Sequence, residues 1–428
     1  MEFVYDGINP SRFLNGVLTI SGSAMLRPDH NYLQSVQNYP KIRVRAKEEF
    51  RLLGGHLWAF SNELLDIPKD LPAGSVVTLV REKDGFPIAH AFFNPHSLIA
   101  ARILAHDTRE SIDEAFFEQR LRQSAARREM LLQRRNAVRL VHGESDFLPG
   151  LIIDKFADII SYQALSAGFE ARKDLIIGLI QKLWNPKSII EKNNSHLRSL
   201  EGLPQIEQFV FGTETETEIH DIAGTRFRID ALSGQKTGFF LDQMENRTRL
   251  RDFIRTGSRV LDLFSNEGGF ALNTALAGAS SVLAVDASES ALAKVSFNAK
   301  LNGVEDRIST LTTDCFQFVR EATEQYDVII VDPPALAKSR KDTAAARKGY
   351  IALNSGAMKL LRPGGILLTA SCSHHISRDD FFDILRESGR RAKRTVSILE
   401  ERAAAQDHPV LAAMSETSYL KCFILGIG

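Results

Sequence analysis

From residue 258 onward, strand-type runs alternate with helix-type runs, and nothing else in the chain constrains its fold as tightly. Residues 260–264 form an apolar strand run, 268–277 a helix, and 281–285 a second strand. Ser288 is placed to cap a helix ending at Asn302-Gly303, where glycine supplies a left-handed terminus. Strand runs follow at 308–312, 328–331 and 366–370, the last after the turn Arg362-Pro363-Gly364-Gly365, and 419–425 closes the chain. Strands alternating with helices of this length predict a doubly wound parallel sheet, a Rossmann-like α/β domain.

A chain of 428 residues exceeds what one hydrophobic core supports, so further domains are expected upstream. Residues 1–40 have little periodicity and read as a poorly ordered extension, with one short strand-type run at 16–20. Short β-type runs broken by Gly and Pro (75–80, the turn Asp84-Gly85-Phe86-Pro87, 98–104) make 41–108 a small β-rich domain. Residues 109–235 read as a mixed α+β middle domain, and 236–428 as the Rossmann-like domain. The middle domain opens on Ser111-Ile112-Asp113-Glu114, read as a capping box. The helix behind it runs towards Arg135 and carries Arg120, Arg122, Arg127, Arg128 and Arg134. Such a face is either solvated or phosphate-contacting. Strands are expected at 150–154 and 159–165 and a helix at 171–184, while 212–218 reads as a hairpin tip.

Lys and Arg (53) balance Asp and Glu (53), so net charge points to no nucleic-acid partner. No apolar run approaches a membrane span, and the acidic N-terminus resembles no secretory leader. Three widely spaced cysteines, Cys315, Cys372 and Cys422, argue for a reducing cytoplasmic setting and against disulfides or structural zinc; no metal is expected.

In a doubly wound sheet the ligand lies beyond the carboxyl ends of the strands. Asp262-Leu263-Phe264-Ser265-Asn266-Glu267-Gly268-Gly269 joins the first strand to its helix, with paired glycines for close backbone approach. Asp286 ends the second strand, placed for ribose hydroxyls, and Asp314 ends the third, placed for an adenine amino group. The G-x-G-x-x-G dinucleotide fingerprint is absent, and a pyrophosphate would sit poorly against Asp262 and Glu267. Each acid alone reads more readily as a helix cap. Three at successive strand ends, with Asp332-Pro333-Pro334 at the fourth, favour a phosphate-free nucleoside with an amino-acid tail: S-adenosylmethionine. The prolines hold the chain extended and present Asp332 at the mouth. Asp-Pro-Pro at this place suits a ring-nitrogen or amide acceptor.

Ser371-Cys372-Ser373-His374-His375 ends the fifth strand, facing the same crevice. A cysteine in such a loop is ordinarily a small buried hydrophobe. Beside hydroxyls and histidines that favour the thiolate, Cys372 reads instead as a nucleophile. Methylating carbon 5 of cytosine needs one. A thiolate adding at carbon 6 makes carbon 5 enamine-like, Asp332 hydrogen-bonds the ring nitrogen, and a base then removes the carbon-5 proton.

These residues resemble the RlmI-like large-subunit ribosomal RNA cytosine-5 methyltransferases over about 42–428. The resemblance rests on Gly55-His56-Leu57-Trp58, similar to the start of the family's PUA domain, and on Glu144-Ser145-Asp146-Phe147-Leu148-Pro149-Gly150-Leu151. It rests further on Gln235-Lys236-Thr237-Gly238-Phe239-Phe240-Leu241-Asp242, Asp332-Pro333-Pro334 with Lys338, Ser371-Cys372-Ser373 and Asp407-His408-Pro409. The block from Gln235 is the most specific. The resemblance implies that it borders the cofactor with Gln235, Lys236, Phe239 and Arg247, joining Asp262, Asn266, Gly268, Asp286, Asp314 and Asp332. It also implies structured RNA, large-subunit ribosomal RNA in particular, as partner, with Arg127, Arg128 and Lys338 as phosphate contacts; a homodimer is allowed and no membrane is expected. Met244 stands where the family usually has arginine. No cysteine follows Asp332-Pro333-Pro334, so His374, His375 and His408 are the candidate bases. Two other readings stay open: a base-nitrogen RNA methyltransferase in which Asp332 orients and Cys372 packs, and a non-catalytic RNA-binding protein with a degenerate methyltransferase fold.

Overall fold

A computed structural model describes residues 38–428 except 69, 235 and 338. The expectations for residues 1–37, Gln235 and Lys338 therefore fall outside the described residues. Residues 38–428 form one compact unit.

The C-terminal domain is a seven-stranded sheet flanked by helices. In chain order its elements are β1 (Arg259–Leu263), α1 (Gly269–Leu276), β2 (Ser281–Asp286), α2 (Glu289–Leu301), β3 (Ile308–Thr312), α3 (Cys315–Glu321) and β4 (Tyr326–Val331). They continue with α4 (Thr343–Leu360), β5 (Leu361–Ser371), α5 (Arg378–Ala392), β6 (Val396–Arg402) and β7 (Lys421–Ile427). The strand order is β3-β2-β1-β4-β5-β7-β6. β1 to β5 pair in parallel, and β7 enters antiparallel between β5 and β6. The sheet is thus mixed at one edge rather than wholly parallel, and β6 occupies residues left unassigned from the sequence. Central strands are covered on both faces and must be apolar throughout, which is why 328–331 is an uninterrupted buried run. β3, at the edge, is largely exposed.

Order reverses between β1 and β4, so the carboxyl ends of these two strands open a crevice. Around the tip of β1 the chain turns sharply, with Phe264, Asn266 and Gly268 all left-handed (φ 60°, 47° and 81°). For Phe264 and Asn266 such a conformation costs of order 1–3 kcal/mol each and is tolerated where surrounding structure enforces it. Ser288 caps α2 by accepting from Ala291 N, as its position predicts, and the left-handed Gly303 follows that helix.

Upstream, a six-stranded sheet includes Lys41–Val44, Ser75–Arg81, Pro87–Phe93 and Ala101–Ala105. Residues 38–40 belong to this packed region: the Tyr39 hydroxyl accepts from Ile112 N (2.8 Å), and Pro40 O accepts from Thr78 N (2.8 Å). A five-stranded sheet follows, with the helix Lys173–Trp184 packed on it through Ile176, Leu179 and Ile180.

Two local expectations change. The first helix spans Glu114–Ala126 and its cap is Asp113, accepting from Phe116 N, rather than Ser111. The basic stretch then breaks before a short turn of helix at Glu129–Leu132, so no continuous arginine face exists. Residues 212–215 are no hairpin tip. Ile206–Phe211 pairs with Ser188–Asn193, whereas Glu216–His220 pairs with Arg226–Asp230, and the segment passes between two sheets.

Candidate functional site

A cleft of about 310 Å³ lies at the carboxyl ends of β1, β2 and β4. Of the residues expected at the site, Lys236, Arg247, Asn266, Asp286, Asp314, Asp332 and Cys372 line it. Asp286 ends β2 and accepts from Asn266 N and Ser288 N (both 2.9 Å), which ties the β1 turn to the start of α2. Asp314 stands exposed at the rim and caps α3 through Gln317 N (2.7 Å). Asp332 follows β4, and burial, with the charge of Asp242 next, pushes its carboxyl up to about 6.

Three expected ligands stand behind the wall. Asp262 is buried and accepts from Ala271 N (2.9 Å), so it anchors α1 from below. Burial, helped by the neighbouring Asp332 charge, pushes its carboxyl up to about 8. Gly268 packs against Val295, and Gly269 lines the cleft instead. Phe239 is buried beneath the Arg247 guanidinium (4.9 Å to the ring centroid), and Phe240 faces the cleft.

Sequence reasoning missed Phe240, Asp242, Gln243, Phe264, Ser265, Phe270, Cys315 and Leu420 as lining residues. Asp242 stood inside the quoted Gln235–Asp242 block, which was the available signal. Phe240 stood in that block too, and Phe264 and Ser265 in the Asp262–Gly269 run; Phe270 gave no signal, because core and ligand-stacking aromatics have the same spacing. Asp242 accepts from Lys236 Nζ and from the Tyr419 hydroxyl (both 2.7 Å). Burial opposes its charge, yet the Lys236 ammonium holds the carboxyl well below the usual carboxylate range. The Lys236 ammonium also sits over the Phe240 ring (4.3 Å).

The donor set fits a nucleoside carrying an amino acid. Arg247 is buried in the cleft with Nε and Nη1 unpartnered among the described residues. Gly269 lies so close that a Cβ there would fall 2.3 Å from Arg247 Nε. A buried guanidinium with free N–H groups is a built receptor for a carboxylate. Asp286 and Asp314 offer acceptors to hydroxyl and amino groups, and Phe264 and Phe270 supply apolar walls.

Cys372 is half-buried, and its thiol donates to Pro333 O at 4.0 Å. The neighbours expected to favour its thiolate are placed otherwise. Ser371 and Ser373 are fully buried and point away from the cleft towards Tyr350. His374 and His375 are exposed, with the His374 ring beside Tyr419 (5.7 Å). His408 is buried against Asp407 (Nδ1 to Oδ1, 2.8 Å) and the ring of His142 (5.0 Å). None of the three histidines lines the cleft. Burial, with the Asp332 charge next, pushes the Cys372 thiol up to about 11.

The basic helix is corrected most sharply. Arg128 is 1% exposed. Its guanidinium clasps Asp146 through two 2.7 Å bonds and also donates to Asp407 O (3.0 Å). It is a strut between the middle sheet and the C-terminal domain, unavailable to phosphate. Arg135, also buried, pairs with Asp407 (2.8 Å). Arg127 keeps an exposed side chain, 3.5 Å from Asp146. Met244 is fully buried in the apolar core.

Residues 206–421 match the S-adenosylmethionine-dependent methyltransferase family, and residues 42–106 match a PUA-like domain. The ribosomal RNA large subunit methyltransferase I of Klebsiella pneumoniae (strain 342) is 35% identical over 393 residues, 90% of this chain and 98% of that protein. The protein of the same name from Aliivibrio fischeri (strain MJ11) is 36% identical over 375 residues, 86% of this chain and 94% of that one. Among solved structures, a SAM-dependent methyltransferase candidate from Streptococcus mutans superposes with a TM-score of 0.77 at 20% identity. That match covers 90% of this chain and all (100%) of that one, and it reflects a shared fold. Among the described residues no helix is long and apolar enough to cross a membrane. With a PUA-like N-terminal domain, an α+β middle region and a Rossmann-like C-terminal domain that takes S-adenosylmethionine as cofactor, the chain belongs to the ribosomal RNA large subunit methyltransferase I family.

Proposed function

We propose that the chain methylates carbon 5 of a cytosine in large-subunit ribosomal RNA, with Cys372 as the covalent nucleophile. One observation carries this reading: the Cys372 thiol and the Asp332 carboxyl open on a single cleft, joined through the Pro333 carbonyl. The names of the relatives supply the RNA class. Bound S-adenosylmethionine supplies an electrophilic methyl group. Arg247 holds its carboxylate, Asp286 its ribose hydroxyls and Asp314 its adenine amino group, while Phe264 and Phe270 exclude water from its base. Arg127, rather than Arg128, is the member of the arginine pair left to meet a phosphate.

Asp332, whose carboxyl burial pushes up to about 6, is neutral in about one molecule in ten at pH 7, and that form donates a hydrogen bond to the ring nitrogen of cytosine. Cys372 adds to carbon 6, which turns carbon 5 into a nucleophile. Carbon 5 takes the methyl group as the bond from that methyl to the cofactor sulfur breaks; loss of the carbon-5 proton to a base at the cleft, and then of the thiolate from carbon 6, restores the ring. A thiol near 11 is ionised in only about one molecule in ten thousand at pH 7. The proton therefore leaves in step with attack, and entry of RNA has to displace the arrangement that disfavours the anion. That same raised thiol favours a second reading, in which Asp332 orients a base nitrogen and Cys372 only packs.

RNA carrying 5-fluorocytosine at the target separates them. Carbon chemistry predicts a protein–RNA adduct that needs S-adenosylmethionine for its stable methylated form and vanishes in Cys372→Ala. That variant should lose turnover by orders of magnitude and keep its cofactor affinity. Near-normal turnover in Cys372→Ala, with nothing trapped, would establish nitrogen chemistry.

A further inference from the structure

The two serines that flank Cys372 do nothing in the chemistry above, yet both are fully buried. Successive side chains at a strand end point to opposite sides. Cys372 faces the cleft, so Ser371 and Ser373 face the underside of the sheet, where α4 lies. There they meet one group, the hydroxyl of Tyr350. Ser371 Oγ donates to Tyr350 Oη (3.0 Å), and Tyr350 Oη lies 3.0 Å from Ser373 Oγ. Ser373 Oγ also accepts from Ala337 N (3.2 Å), on the segment that continues from Asp332-Pro333-Pro334. From the far side, Lys421 Nζ donates to Ser373 O (2.7 Å) and Tyr419 O (2.8 Å). The Tyr350 ring is fixed edge-on against Phe381 (5.4 Å, 83°).

We propose that Tyr350 is a positioning residue: its hydroxyl fixes Ser371 and Ser373, and Ser373, which accepts from Ala337 N, ties the Cys372 loop to the loop carrying Asp332. An apolar trio would fill the same volume without three hydroxyls to satisfy, and burying hydroxyls is costly unless all are bonded. What the bonded cluster adds is one fixed arrangement, because hydrogen bonds are directional and these are closed off from water. The arrangement sets where the thiol stands relative to the group that holds the base. The proposal rests on Cys372 acting as nucleophile, and its test has one arm that does not.

Tyr350→Phe keeps the ring and removes only the hydroxyl. In the first arm, the intact protein is treated with iodoacetamide and the three cysteines are read separately by mass spectrometry. Release of the loop should raise the alkylation rate of Cys372 at least fivefold, while Cys422, fully buried and outside the cleft, stays unreactive and so reports an intact fold. In the second arm, methyl transfer to large-subunit ribosomal RNA from cells lacking the protein should fall by about 10- to 100-fold in kcat, as misplacement by an ångström does. Affinity for S-adenosylmethionine should stay within twofold, since Tyr350 does not touch that part of the cleft. Should Tyr350→Phe alkylate at Cys422 as well, Ser373→Ala removes the bridging hydroxyl from the other end and must give the same pair of changes. Alkylation of Cys372 within twofold of wild type overturns the lock. Faster alkylation with unchanged kcat overturns the positioning role. Failure of the cytosine-5 reading shows separately, as turnover surviving in Cys372→Ala, and leaves the alkylation arm intact.

Discussion

Replacing Arg128 by alanine distinguishes a buried strut from an RNA contact, because the two roles predict opposite results in two assays. The guanidinium makes two 2.7 Å bonds to Asp146 and donates to Arg139 O (3.0 Å), Ser124 O (3.1 Å) and Asp407 O (3.0 Å). Asp146 is wholly buried and, without Arg128, keeps only His142 N (2.7 Å) and the distant Arg127 as compensation. Breaking a buried pair from one side leaves an uncompensated charge and costs about 3–5 kcal/mol. At about 2 °C per kcal/mol for a chain of this size, the melting temperature should drop by roughly 6–10 °C. Binding to ribosomal RNA, measured at 15 °C across a salt series, should keep its slope. A lost phosphate contact would instead lower the slope of log K against log salt by about 0.7–0.9. A melting temperature within 2 °C of wild type together with a shallower salt slope would refute the strut and restore Arg128 to the RNA interface. Arg127→Ala should show the reverse pattern, a small change in stability and a reduced slope.

Asp286→Ala should weaken S-adenosylmethionine binding by ~1.5–3 kcal/mol in calorimetry, the scale of hydrogen bonds to a charged group; unchanged affinity would reject its ribose role. Asp262 is expected to be neutral in the folded protein at pH 7, since its carboxyl is pushed up to about 8 from an ordinary value near 4. Between about pH 4 and pH 8 the folded chain then holds a proton that the unfolded chain has released, so stability falls as pH rises through that window. Asp262→Asn, which still offers an oxygen to Ala271 N, should flatten this part of the stability profile and leave the low-pH end unchanged. A denaturation series from pH 5 to 8.5 with parallel curves for the two proteins would show that Asp262 is ionised after all.

What the sequence revealed and what it hid divide along a physical line. Periodicity reports which side of an element is buried, and the connection rules of α/β sheets report where strand ends gather. Asp286, Asp314 and Asp332 could thus be placed at one crevice from spacing alone. Periodicity does not report which way a side chain turns at the end of a strand. Asp262 has the same local pattern as Asp286, but it turns under α1 rather than into the cleft. Ser371 and Ser373 differ: strand alternation, which the sequence does carry, sends their hydroxyls to the side opposite Cys372, and closeness in sequence alone puts them beside the thiol. Arg128 shows a different limit. An arginine is exposed or buried according to whether a carboxylate meets it, and here part of its cage, the Asp407 carbonyl, lies 279 residues away. Local charge counting sees six arginines near one another and cannot see that two of them, Arg128 and Arg135, are consumed by Asp146 and Asp407. Motif resemblance reaches further than periodicity because it marks residues that act together over long separations. It singled out the Glu144–Leu151 block and Asp407-His408-Pro409, and the structure shows Asp146 and Asp407 meeting on one guanidinium. Asp146 and Asp407, outside the cleft, thus join the middle region to the C-terminal domain, whereas Asp332 and Cys372 open on the cleft itself.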